Sequence, residues 1–216
     1  MKQVAVLLSG CGVFDGSEIH ESVLTLLSIE QAGAKYQCFA PDIDQMHVVD
    51  HLTGEQQTQT RNVLVESARI ARGEIKKTTE LQVDKYDALV IPGGFGAAKN
   101  LCSFATSGAE CEISPLVSDA INQFKDARKP VGFICIAPVM IPKIYGNGVQ
   151  GTIGTDIETA TAFNDMGGSH HNATVEDIVV DAKNKIVSTP AYMLAQSITE
   201  AHTGINKLVR KVLELS

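Results

Sequence analysis

A doubly wound, mainly parallel α/β sheet with a β-hairpin near its C-terminus is the fold class that this sequence predicts. Three observations point to it. Residues 4–8, 86–91 and 131–134 are short and almost continuously apolar, the pattern of strands buried on both faces. Between them lie stretches with apolar residues three and four apart, as crossover helices require. Each apolar run also stops abruptly, at Ser9-Gly10-Cys11-Gly12, at Pro92-Gly93-Gly94 or at Cys135. Loops that follow parallel strands gather at one edge of a sheet, so these three breaks should converge.

The first strand covers residues 4–8. Ser17 is placed to cap the next helix, and Glu18 and Glu21 suit its first turn, where acids complement the helix dipole. Ile19, Val23, Leu26 and Leu27 continue that helix and Gly33 ends it. Residues 36–40 form a second strand, closed by Pro41-Asp42, and residues 42–59 are polar and irregular. A helix over 61–72, a buried strand over 86–91 and a helix over 113–128 follow. The apolar run 131–134 passes without a polar spacer into Cys135. Residues 136–144 then open a helix, with Pro138 in the first turn, where proline is tolerated. A strand over 149–153 and a helix over 156–166 precede the hairpin, whose strands 178–180 and 185–188 flank Asp181-Ala182-Lys183-Asn184. Ile198, Ala201, Ile205, Leu208, Val209, Val212 and Leu213 form the apolar stripe of a closing amphipathic helix. No repeat, low-complexity run or linker interrupts the chain, and residues 1–216 read as one domain.

Composition excludes several classes. A chain of 216 residues, 44% hydrophobic and 20% charged, sustains one large core. Its net charge of -7 and pI of about 5.3 argue against nucleic acid or an anionic membrane as partner. No apolar run approaches the length of a transmembrane helix. The five cysteines are odd in number and lack CxxC spacing, so neither a disulfide framework nor a zinc site is indicated. The apolar run near residue 1 is too short for a secretion signal and reads as a strand. A cytoplasmic protein with no metal and no cofactor is the expectation.

Strand, sharp turn and helix with Cys135 at the corner describe a nucleophile elbow. The free N–H groups of the following turn favour a thiolate or an oxyanion there. Gly93 and Gly94 let backbone amides approach a substrate oxygen, with the Ile136 amide as the second donor. Glu18 and Glu21, three apart on one helix, are both candidates for a carboxyl beside the thiol; protonated, it stabilises a thiolate or shuttles a proton. His20, Asp156 and His170 are secondary candidates for assisting Cys135. Cys11 could lie near it as a second thiol, and Lys99-Asn100 could hold a polar group of a substrate. Gly10-Cys11-Gly12 lacks the third glycine of a dinucleotide fingerprint.

The segments Val90-Ile-Pro-Gly-Gly-Phe-Gly-Ala-Ala-Lys-Asn-Leu101 and Phe133-Ile-Cys-Ile-Ala-Pro138 resemble the PfpI-like branch of the class I glutamine amidotransferase-like superfamily. Leu8-Ser-Gly-Cys-Gly-Val-Phe-Asp-Gly-Ser-Glu-Ile-His-Glu21, His51-Leu-Thr-Gly54 and Thr189-Pro-Ala-Tyr-Met193 are similar, more narrowly, to the ElbB family. The resemblance spans essentially the whole chain. It implies a flavodoxin-like fold, a homodimer, and a glyoxalase acting on glyoxal, with methylglyoxal as a second candidate substrate, without glutathione or metal; an older association links the family to isoprenoid biosynthesis. It also implies that Cys135 is the nucleophile and Glu21, ahead of Glu18, the carboxyl against it. Two departures stand out. Proteolytic members carry a histidine directly after the cysteine, where this chain has Ile136. Deglycase-like members place one after the next strand, where it has Gly154-Thr155-Asp156. Two other functions remain open: glutamine amidohydrolysis, for which the chain offers no histidine motif, and thiol-based redox sensing, with Cys135 oxidised to a sulfinic acid.

Overall fold

Side-chain alternation along the central strands decides how the molecule is layered. A computed structural model describes residues 1–216. Its elements in chain order are β1 (Gln3–Leu7), α1 (Ile19–Gln31), β2 (Lys35–Ala40), α2 (Val63–Ile70), β3 (Ile75–Lys77), β4 (Ala88–Ile91), α3 (Phe104–Ser107), α4 (Pro115–Asp126), β5 (Val131–Ile134), α5 (Ile141–Tyr145), β6 (Gln150–Gly151), α6 (Ile157–Asp165), β7 (Ser169–His170), β8 (Val179–Asp181), β9 (Ile186–Thr189) and α7 (Ile198–Leu215). Ala5 and Leu7 of β1, Leu89 and Ile91 of β4, and Val131 and Phe133 of β5 point into one core. Val4, Val6, Ala88, Val90 and Ile134 point into the other.

Each face is covered by helices. On the first lie α4, α5 and α6, with Ile121, Phe124, Ile141 and Phe163 fully buried. On the second, α1 packs on α7 through a layer that includes Leu24, Ile29, Ile205, Leu208 and Val212. Gly132 belongs to this packing, because a Cβ there would meet Leu208 Cδ2 at 2.8 Å. Burying one such Leu, Ile or Phe side chain contributes about 1.5–3 kcal/mol. Surface ion pairs such as Lys77–Asp42 are screened by solvent, so the two apolar layers hold the fold.

Seven strands lie in the order β3-β2-β1-β4-β5-β9-β8, parallel except for the antiparallel β8–β9 hairpin. The expected fold class is borne out. From β1 the chain winds outward through β2 to β3, and from β4 it winds the other way through β5. The order therefore reverses between β1 and β4, and the crevice beyond the carboxyl ends of such strands is where ligands bind.

Local departures from the sequence expectations have physical causes. Glu18, not Ser17, caps α1: Glu18 Oε2 accepts the Glu21 N–H at 2.6 Å. The buried Ser17 hydroxyl is engaged by the Ser9 N–H at 2.8 Å and ties the first loop shut. The helix expected over 136–144 divides into a 3-10 turn, Ala137–Met140, and the short α5. The strand expected over 149–153 shrinks to β6, which pairs in parallel with β7 in a separate two-stranded sheet. The edge strand β3 carries only Ile75-Lys76-Lys77, too short for a periodic signal.

Candidate active site

Cys135 occupies the corner directly after β5. Its φ of +62° is left-handed, a conformation that costs a non-glycine residue about 1–2 kcal/mol. The ladder supplies what holds it there: the Cys135 N–H donates to the Thr189 carbonyl at 2.9 Å, extending the β5–β9 pairing by one step. A second left-handed corner follows β9 at Ala191, φ +42°, and turns Tyr192 and Met193 toward the same edge. The Gly94 and Ile136 amides face the Cys135 sulfur, and their N–H dipoles favour the thiolate.

Glu21 reaches this corner from the first turn of α1 and is fully buried. Its Oε2 accepts the Gly93 N–H at 2.9 Å and its Oε1 the Tyr192 N–H at 3.2 Å, and the carboxyl lies against the Cys135 thiol. Burial, and then the charge of Glu18, push the Glu21 carboxyl up to about 8. Burial, and then the Glu21 carboxylate, push the Cys135 thiol well above its ordinary range. The second push vanishes once Glu21 is protonated, because the carboxyl then donates to sulfur instead of repelling its charge. Below about pH 8 the pair therefore holds both protons; above it one is lost, and the remaining one is shared between carboxyl and sulfur.

The glycine loops are fitted around this pair. A Cβ at Gly93 would stand 2.5 Å from Cys135 Cβ and 2.9 Å from both Glu21 Oε2 and the Ile134 carbonyl. Gly94, φ +92°, presses on the Glu18 amide, and Gly96 on Gly16. Backbone bonds knit the loops together: Glu18 N–H to the Gly93 carbonyl at 3.0 Å, Phe95 N–H to Val13 at 2.8 Å and Gly96 N–H to Gly16 at 2.9 Å. Replacing Gly93 by Ala is expected to cost about 1–3 kcal/mol, read as a lower urea midpoint. It should also slow alkylation of Cys135 by iodoacetamide.

Outside the pair opens a cavity of about 580 Å³. Cys135, Gly94 and Ile136 form its floor, Phe95, Phe104 and Met193 contribute apolar walls, and Glu18, Lys99, Asp156 and Tyr192 are its polar members. No histidine lines it. No group of three His, Cys, Asp or Glu side chains is arranged to hold a metal ion, and no helix is long and apolar enough to cross a membrane.

A carboxyl from the first helix buried against an elbow cysteine is the geometry to set beside known proteins. The ES1 protein homolog, mitochondrial, of Rattus norvegicus is 45% identical over 224 residues, covering 99% of this chain and 84% of that protein. The human glutamine amidotransferase-like class 1 domain-containing protein 3, mitochondrial, is 46% identical over 99% of this chain and 83% of its own length. The chain belongs to the ES1 family of class I glutamine amidotransferase-like proteins. A crystal structure of an isoprenoid biosynthesis protein with amidotransferase-like domain from Ehrlichia chaffeensis shares 37% identity and superposes with a TM-score of 0.93 over 100% of this chain and 99% of that one. A DJ-1 superfamily protein from Salmonella typhimurium shares the fold at 19% identity and a TM-score of 0.61, with 99% of this chain and 91% of that one covered. No family model matches the chain.

Within this ES1-family frame the sequence-predicted residues separate. Cys135, Glu21, Gly93, Gly94 and Ile136 come together, with a division of labour between the glycines: the Gly93 amide is occupied by Glu21, and the Gly94 amide faces sulfur. Glu18 sits on the cavity wall as helix cap. Asp156 also lines the cavity, but it caps α6 by accepting the Thr159 N–H at 2.9 Å, and those bonds hold its carboxyl below the usual range. It is an anion, not a proton donor, at neutral pH. His170 lies elsewhere: its Nε2 accepts the Ile153 N–H at 3.1 Å and its ring meets Phe163 edge-on. His20 reaches the site only through the Tyr192 hydroxyl, 2.9 Å from its Nδ1. Cys11 faces Glu66 and Arg69 near α2 and is no partner for Cys135. Sequence reasoning missed Tyr192, whose amide holds Glu21, and Phe104; Pro190 after a strand was the available signal for the first.

Proposed function

We propose that this ES1-family protein is a cofactor-independent glyoxalase, converting glyoxal, and also methylglyoxal, to the corresponding 2-hydroxy acid. The observation that carries this reading is the buried Glu21 carboxyl set against Cys135 beneath a cavity without histidine. Isomerising an α-oxoaldehyde needs a nucleophile and one group that takes a proton from carbon and returns it to the next; a carboxyl whose pKa is raised toward neutrality suits that task.

In the singly protonated pair the thiolate attacks one aldehyde carbon, a C–S bond forms, and the carbonyl electron pair moves to oxygen, which takes the Glu21 proton. The developing oxyanion is served by the amides of Gly94 and Ile136. Glu21 carboxylate then removes the C–H proton of the hemithioacetal and delivers it to the adjacent carbon, while the hydroxyl proton passes between the two oxygens. A thioester of the 2-hydroxy acid results, and one water hydrolyses it to glycolate and free Cys135. Glutamine amidohydrolysis calls for a histidine base beside the cysteine, and no histidine lines the cavity.

Glycolate formation from glyoxal by the purified protein, without glutathione or added metal, is the direct test. If the protein makes no glycolate while peroxide converts Cys135 selectively to a sulfinic acid, the glyoxalase reading gives way to redox sensing.

A further inference from the structure

The cavity above Cys135 is far larger than glyoxal, which has only four non-hydrogen atoms. A volume of about 580 Å³ falls in the range that encloses drug-sized ligands. Its walls are mostly apolar, and only one cation lines it, Lys99. That ammonium is not paired: Lys99 forms no salt bridge. One hydrogen bond, to the Phe14 carbonyl at 2.9 Å, and the Phe95 ring, 5.3 Å to its centroid, hold it at the rim between this cavity and a smaller neighbouring one that Phe14 lines. An ammonium has three donors, so two are left for a ligand.

The position is built rather than incidental. Lys99 lies in the π-helical turn Ala97–Leu101, and the next residue, the buried Asn100, clamps that turn. Asn100 Nδ2 donates to the Ser9 and Asp15 carbonyls, each at 2.9 Å, and its Oδ1 accepts the Met46 N–H at 2.9 Å. Lys99 is half-buried, which strengthens its attraction for an anion over that of a lysine in open water. The two acids on the same cavity are engaged elsewhere, Glu18 by the Glu21 amide and Asp156 by the Thr159 amide.

We propose that Lys99 is a specificity-determining residue that anchors a carboxylate at the far end of the substrate, so that the preferred substrates are α-oxoaldehydes carrying a terminal carboxylate across a short apolar spacer. The spacer lies along the apolar walls and the aldehyde carbon reaches Cys135. The chemistry rests on the glyoxalase reading, but the anion site does not. A simple representative is 4,5-dioxopentanoate, which gains one water to become 2-hydroxyglutarate by the steps described above.

The test separates the two ideas. 5-Bromo-4-oxopentanoate alkylates a thiolate, forming a C–S bond with loss of bromide, and its methyl ester does the same without the charge. Labelling of Cys135 is followed by mass spectrometry, and the acid-to-ester rate ratio is compared with that of free cysteine. For the wild type the ratio should exceed that of free cysteine by about tenfold or more, the scale of one charge-assisted hydrogen bond. Lys99→Met should return it to the free-cysteine value and Lys99→Arg should retain most of it. A ratio cancels any general loss of Cys135 reactivity, so a poorly folding variant does not mimic the result. A wild-type ratio equal to that of free cysteine, or a full preference surviving in Lys99→Met, overturns the proposal. Turnover of 4,5-dioxopentanoate against its methyl ester then reads the other idea. If labelling depends on Lys99 but no α-oxoaldehyde is turned over, the anion site stands and the glyoxalase reading falls. If acid and ester are both turned over with equal kcat/KM, the glyoxalase reading stands and the anion site falls.

Discussion

Cys135→Ala is expected to abolish glycolate formation, a loss of at least about a thousandfold in kcat, the scale on which removal of a covalent nucleophile reads. Alanine keeps the Cβ that packs against Gly93 and changes neither the β5–β9 ladder nor the left-handed corner. The fold should therefore survive, with a urea midpoint close to that of the wild type. Cys135→Ser should be nearly as inactive, because a hydroxyl in this buried position is far harder to ionise than a thiol. Substantial turnover in either variant would move the chemistry away from the elbow. The result also discriminates among the cysteines. Cys38, Cys102 and Cys111 are buried away from the cavity, so their alanine variants serve as controls that keep activity.

How much of this was legible beforehand divides along a physical line. The central strands were readable because burial on both faces leaves an uninterrupted apolar run, and β5 was placed at its true ends for that reason. The elbow followed from topology, since Cys135 comes directly after such a run. Contacts between segments distant in sequence were not readable. Glu18 and Glu21 look alike in one dimension; only three-dimensional packing buries Glu21 between the Gly93 and Tyr192 amides and leaves Glu18 to cap the helix. His170 carried the right chemistry for a base, but β7 pairs with β6 outside the main sheet and takes the ring to Ile153. Tyr192 went unnoticed because its part is played by a backbone amide, which any residue type could supply.

The Glu21→Gln variant should show two effects of opposite character. With a native pKa near 8 and an ordinary value of 4.5, Glu21 keeps its proton in the folded protein across a window where the unfolded chain has released it. Between those values folding takes up one proton, so this group lowers stability as pH rises, by about 1.4 kcal/mol per pH unit. Its contribution is most favourable below pH 4.5 and has fallen fully by about pH 8. Glutamine does not titrate, and its urea-derived stability should lose this downward slope, although one of the two amides that met the carboxyl is left facing an NH₂ group. Activity should respond differently. Wild-type kcat/KM is expected to rise with pH toward 8 as the pair sheds one proton and the thiolate becomes available. Glu21→Gln should lose that limb and fall by about a hundredfold or more, the usual scale of general acid–base catalysis. Guanidine or urea titrations at several pH values, beside pH–rate profiles on glyoxal, measure both. Equal stability slopes in the two proteins would show that Glu21 is ionised in the folded state near neutral pH. A pH–rate limb unchanged in the variant would assign the proton transfer to another group lining the cavity.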